Sequence, residues 1–159
     1  MSQSESAADL VHATAVALGG KAALIRGPSG SGKSDLALRA IATPQLAHLT
    51  HRVELLSDDQ VRLVSTPGGI EVTPPPTIAG KIEVRGLGIV QLPYCPSALL
   101  ALVVDLVPAA EVPRYPLEER RETFFGLSVP VVRLAAFEPS APLKLVLALD
   151  AAPAILTPP

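Results

Sequence analysis

The chain has 159 residues, a formal net charge of −2 from 13 basic and 15 acidic side chains, and an apolar content of 48% with only 3% aromatics. That is the length of one ordinary domain, able to bury a single aliphatic core, and its interspersed charge offers no basic face for nucleic acid or an anionic membrane. One cysteine, Cys95, excludes an internal disulfide, no apolar run approaches the length that spans a bilayer, and the N-terminal MSQSESAADL lacks the regions of a signal peptide, so a cytoplasmic protein is expected.

In chain order, residues 1–10 are polar and small and are expected to be a flexible lead-in to one domain over residues 11–150. Residues 15–18 and 22–26 are short apolar runs split by Gly19, Gly20 and Lys21, a hairpin signal. The second run feeds a glycine-rich loop. Residues 34–41 then repeat apolar side chains at helical spacing and stop before Pro44. Residues 53–56, 60–64, 69–73, 81–85, 89–92 and 99–107 read as strands bounded by glycine or proline, so the middle of the chain is rich in β-structure. Residues 117–125 are expected to form a short helix and 129–134 a strand, 143–150 fit either, and the Pro-rich 151–159 reads as a frayed or docking tail.

Gly27, Pro28, Ser29, Gly30, Ser31, Gly32, Lys33 and Ser34 satisfy the pattern G-x-x-x-x-G-K-[ST] between an expected strand and an expected helix, which is the context that the pattern requires. Glycines let the backbone curl until successive N–H groups face a polyphosphate, and the helix N-terminus adds a positive dipole end. Lys33 offers a point charge to the β- and γ-phosphates of ATP, and the Ser34 hydroxyl offers a ligand to Mg²⁺. Asp58 and Asp59 follow the run 53–56, so one carboxylate can point from a strand end toward the phosphates as base or metal partner; both equally suit a polar turn. Asp105 competes for the acidic role. Glu83 and Arg85 share one strand face ahead of a Gly-Leu-Gly turn, where Glu83 could face a metal. His12, alone, reads as packing, and His48 and His51 as surface.

Together these motifs resemble the HPr serine kinase/phosphorylase family. The matching stretches are Val11-His12, the glycine-rich loop, Leu55-Leu56-Ser57-Asp58-Asp59-Gln60-Val61 and Ile82-Glu83-Val84-Arg85-Gly86-Leu87-Gly88-Ile89, covering residues 11–92. The resemblance implies an α/β fold with a mixed, largely antiparallel sheet like that of phosphoenolpyruvate carboxykinase, and transfer of the ATP γ-phosphate to a serine of the phosphocarrier HPr. It implies Asp58 as the base that accepts the serine proton, Ser34 and Glu83 as Mg²⁺ partners, Lys33 on the phosphates, His12 in the active site, and a homo-hexamer. Long family members carry a large N-terminal domain, so this chain resembles the short proteobacterial form. The family's later catalytic arginine is matched by Arg114, with Arg120 and Arg121 as alternatives. Its Pro-Val-Arg-Pro-Gly-Arg segment, tied to dephosphorylation, falls where residues 129–137 read VPVVRLAAF, so phosphorylase activity is not implied. Two rival readings remain: a small-metabolite kinase with those arginines as a mobile lid, and a sensor that binds ATP without transferring phosphate.

Overall fold

The computed structural model describes residues 8–44, 46–116 and 118–152. Its elements are β1 (Ala8–His12), β2 (Thr14–Leu18), β3 (Lys21–Arg26), α1 (Lys33–Ala42), β4 (Glu54–Ser57), β5 (Gln60–Thr66), β6 (Gly69–Thr73), β7 (Lys81–Val84), β8 (Gly88–Gln91), β9 (Ala98–Leu106), β10 (Arg120–Phe124), β11 (Leu127–Leu134) and α2 (Ala141–Ala151). Short 3₁₀ turns lie at Pro76–Ile78 and Ala109–Glu111.

Alternation along the strands decides the layers. In β2, Val16 and Leu18 join the core under the helices while Ala15 and Ala17 join the core on the other face; β3 repeats the pattern with Ala23 and Ile25 against Ala22 and Leu24. The main sheet runs β1-β5-β6-β9-β3-β2-β4, and β11, paired with β10, also pairs with β9. Among the described strand pairs of this sheet, β9 is parallel to β3 and to β11 and the others are antiparallel, as the resemblance implies. Both helices cover one face. On the other, Leu56, Val61, Leu63, Ile70 and Val72 from one half of the curled sheet pack with Val103 and Val129 from the other. The β7–β8 hairpin is a separate ribbon, and among the described residues no helix is long and apolar enough to cross a membrane.

Three segments differ from the sequence expectation or resolve it. The short helix expected over residues 117–125, of which 117 lies outside the described residues, is absent from residues 118–125: Arg120–Phe124 is strand β10, paired with β11 from Arg120↔Val131 to Phe124↔Leu127. The turn between them is Phe125-Gly126, both at positive φ (50° and 79°), the two-residue hairpin geometry that matches strand twist. Arg and Glu favour helices when nothing competes, but here ladder pairing overrides propensity. Residues 8–10, expected to be flexible, lie in β1, because backbone pairing with the edge of β5 needs no apolar side chains. The segment that fitted either element is helix α2, which buries Ala141, Pro142, Leu145, Val146 and Leu149. Its C-terminal carbonyls at Asp150 and Ala152 accept hydrogen bonds from Lys21 Nζ at 2.6 and 2.8 Å.

Leu145 is fully buried between α2 and the sheet. Leu145→Ala is expected to lower stability by about 2–5 kcal/mol, read as a shift of the urea midpoint at unchanged slope.

Candidate phosphoryl-transfer site

Strand β3 ends at Arg26 and the chain enters the glycine loop at once. Arg26 itself is clamped: it donates to the Asp105 carboxylate on β9 at 2.8 and 3.1 Å and to the Glu122 carboxylate on β10 at 2.8 and 2.9 Å. These hydrogen bonds, Glu122 first and Asp105 second, raise the guanidinium pKa further above its ordinary value. The loop then folds so tightly that a Cβ at Gly27 would lie 2.5 Å from Ser31 Oγ, and Ser31 N–H donates back to the Pro28 carbonyl at 3.0 Å. Gly32 caps α1 in the left-handed region at φ 96°. A Cβ there would also stand 2.9 Å from the Phe137 ring and 3.0 Å from Ala136, so the loop packs directly on the segment after β11. Arg39 of α1 secures that segment by donating to the carbonyls of Ala136 and Glu138. Lys33 is buried, its Nζ folded back onto the carbonyls of Gly27 and Pro28 at 2.8 and 3.1 Å.

The acidic motif follows β4, which reaches the loop because β4 pairs with β2 and β2 with β3. Asp58 is 6% exposed. Its Oδ1 accepts from the Thr14 hydroxyl at 2.9 Å and the Ser34 hydroxyl at 2.6 Å, and its Oδ2 accepts from the Glu83 backbone N–H at 3.0 Å. A buried carboxylate requires such donors, and three elements supply them. Asp59 is the opposite case. Its φ of 68°, a left-handed conformation that Asp tolerates, turns the side chain outward to meet His12 Nε2 at 3.3 Å. Both side chains are more than half exposed, so this contact orients them more than it stabilises the fold.

Loop and acidic motif face one another across a cavity of about 570 Å³. Gly30, Gly32, Lys33 and Ser34 border it on one side, with His12, Asp59 and Glu83 on the other. Ser29, Arg85 and Phe137 also line it. Asp58 lies behind Ser34 and is not among the lining residues, while Pro28 and Ser31 border a second cavity and Gly27 gives the loop its close turn. Arg114 is exposed in the connection before β10 and does not line the cavity; Arg121 is engaged with Glu119 and Ser128. Arg85, to which the sequence reading gave only a place beside Glu83 on a strand face, lies in the turn just after β7 and lines the cavity.

Among the described residues no three His, Cys, Asp or Glu side chains form a metal cage. The donors present nonetheless suit Mg²⁺, which keeps several waters and takes one or two carboxylates together with substrate phosphates. Ser34 with Asp58 behind it, and Glu83 at the cavity wall, are hard oxygen groups of that kind.

No family model matches the chain. Among curated proteins it is similar to the HPr kinase/phosphorylase of Burkholderia lata, 31% identical over 134 residues, and to that of Bordetella pertussis, 33% identical over 135 residues; each match covers 78% of this chain. The chain belongs to the HPr kinase/phosphorylase family. It spans 39% and 41% of the length of those two relatives. The family's fold is present as well: the solved structure of the Hpr(Ser) kinase/phosphatase from Coxiella burnetii superposes with a TM-score of 0.73 at 24% identity, covering 89% of this chain and 94% of that one.

Loop geometry makes two glycines unequal. Both Gly30 and Gly32 have positive φ, but a Cβ at Gly30 meets nothing within 4 Å while one at Gly32 collides with Phe137 and Ala136. Gly30→Ala is expected to cost about 1 kcal/mol from backbone strain alone, and Gly32→Ala about 2–3 kcal/mol in thermal denaturation.

Proposed function

We propose that this chain transfers the γ-phosphoryl group of ATP, with Mg²⁺, to a serine hydroxyl of an HPr-type phosphocarrier. The observation that carries the reading is the cavity itself, which sets a phosphate loop and helix N-terminus opposite the outward carboxylate of Asp59. Family membership, and the names of the relatives, support HPr as the acceptor.

In this reading the loop N–H groups and the start of α1 take up the β- and γ-phosphates, and Lys33 exchanges its two loop carbonyls for phosphate oxygens. Ser34 and Glu83 hold Mg²⁺, with Asp58 fixing the Ser34 hydroxyl. Bound there, the ion neutralises charge on the phosphate oxygens. The serine oxygen attacks the γ-phosphorus, the bond from that phosphorus to the β,γ-bridging oxygen breaks, and the serine proton passes to a carboxylate. The sequence reading gave this proton to Asp58. Geometry favours Asp59, since the Asp58 oxygens are occupied by Thr14, Ser34 and the Glu83 N–H whereas Asp59 borders the cavity beside His12. Asp58 then acts on the metal side.

The sheet weighs against the small-metabolite kinase: between the loop strand β3 and the acidic strand β4 stands β2, antiparallel to both. An ATP-binding sensor is separated from the proposal by turnover alone. The proposal includes the cytoplasm as compartment and a homo-hexamer as assembly, the latter read by sedimentation.

Phosphoserine formation on purified HPr from labelled ATP is the test. Wild-type chain is expected to label the carrier, and Lys33→Ala to lose the reaction. Asp59→Asn is expected to keep ATP binding and lose about 10²–10⁴-fold in rate, while Asp58→Asn weakens Mg-ATP binding itself. The reverse pattern for the two aspartates returns the base role to Asp58, and an unlabelled carrier despite tight ATP binding sinks the kinase reading.

A further inference from the structure

Asp59 stands at the centre of a turn that chains rarely make. The Gln60 N–H donates to the Asp58 carbonyl at 2.7 Å, two residues back, and Asp59 between them has a φ of 68°. That is the geometry of the γ-turn with a positive central φ, which is uncommon and strained. A strained residue keeps its conformation only where its surroundings over-determine it, and such residues gather at functional sites.

Three consecutive residues supply the restraint. His12 Nε2 meets the Asp59 carboxylate at 3.3 Å, the Ala13 N–H donates to the Asp59 carbonyl at 3.0 Å, and the Asp59 N–H donates to the Thr14 hydroxyl at 3.3 Å. Every polar group of Asp59 is thus met from the junction of β1 and β2. The Thr14 hydroxyl also donates to Asp58 Oδ1 at 2.9 Å. Its polarity is fixed, because a backbone N–H can only donate to it and its single proton is left for the carboxylate.

We propose that Thr14 is a positioning residue for both aspartates: its hydroxyl holds the Asp58 carboxylate beside Ser34 and fixes the turn that sends the Asp59 carboxylate to the cavity. The two carboxylates are neighbours in sequence but opposite in setting, Asp58 being 6% exposed and the Asp59 side chain 66%. One hydroxyl, placed between the carboxylate of the first and the amide of the second, keeps them apart. Thr14 is itself fully buried, and both bonds of its side chain end on residues 58 and 59. The inference rests on the roles proposed above for Asp58 on the metal side and Asp59 as base, and adds the group that separates those roles.

Thr14→Val keeps the shape and removes the hydroxyl, whereas Thr14→Ser keeps the hydroxyl and removes a methyl. Phosphorylation of purified HPr is followed at a temperature where circular dichroism shows each variant folded. Thr14→Val is expected to lower kcat about 10–100-fold and to raise the Mg²⁺ concentration for half-maximal rate about threefold, with Thr14→Ser recovering both to within about threefold of wild type. A hydroxyl that served stability alone would shift the melting temperature and leave kcat of the folded variant unchanged. The second readout needs no turnover: the His12 imidazole resonances, recorded by NMR on the free chain, are expected to move in Thr14→Val and to return in Thr14→Ser.

Unchanged kcat and Mg²⁺ requirement in folded Thr14→Val overturn the proposal. So does equal loss in the Val and Ser variants, which assigns the effect to methyl packing, and so does an unmoved His12 resonance. If Thr14→Val does not fold, Thr14→Cys, of similar size with a weaker donor, takes its place, with an expected loss in kcat of about three- to tenfold. If wild-type chain leaves HPr unlabelled, the kinase reading falls, and the His12 resonances alone decide whether Thr14 sets Asp59.

Discussion

A single buried carboxylate ties the site together. Asp58 takes the Thr14 hydroxyl of β2, the Ser34 hydroxyl of α1 and the Glu83 N–H of β7, so that a strand of the main sheet, the phosphate-loop helix and a separate ribbon converge on two oxygens. Each bond involving a charged acceptor is stronger than a neutral one, and losing any of them leaves a poorly solvated charge. The distance between loop and ribbon is therefore not free to drift. The β7–β8 ribbon lies outside the main sheet, and the Asp58 carboxylate is one of the attachments that holds it at the cavity.

The loop is braced from its other side by contacts of a different kind. Gly32 leaves no room for a Cβ beside Phe137 and Ala136, Arg39 holds the carbonyls of the same segment, and Arg26 joins the base of the loop to Asp105 and Glu122. The Arg26 cluster is partly exposed, so its value lies in bidentate geometry and orientation more than in net stability. These braces give a glycine-rich segment a fixed shape, as the proposed phosphate site demands.

Much of this was legible in the sequence for identifiable reasons. The phosphate loop, the strand before it and the helix after it carry a pattern whose spacing is set by backbone geometry, and the central strands are punctuated by glycine and proline at nearly every turn. What was hidden depends on partners far along the chain. Arg120–Phe124 has a helix-compatible composition and becomes a strand because β11 is beside it, and Ala8–His12 becomes a strand because the edge of β5 is open. Helix α2 is decided by the periodic burial of Leu145 and Leu149, which short apolar runs do not reveal. At the site, the residues alone pointed to the Asp58-Asp59 pair and the resemblance chose Asp58, whereas the carboxylate that borders the cavity is that of Asp59, which turns on a φ of 68°. Thr14 gave no signal at all, and among the described arginines it is Arg85, not Arg114, that lines the cavity.

The parallel pairing of β3 with β9 also governs when the site comes into being. Arg26 and Asp105 face each other in register across a separation of 79 residues, and Glu122, which completes the clamp, is 96 residues away. Contacts so distant along the chain are made only after a large loop has closed, and folds dominated by them reach the native state slowly. The glycine loop thus leaves a ribosome before β9 and β10 and acquires its shape only after them. Until β9 and the β10–β11 hairpin have been synthesised, the strand that leads into the loop lacks its parallel neighbour and has an open edge, a state in which nascent chains are most exposed to wrong pairing.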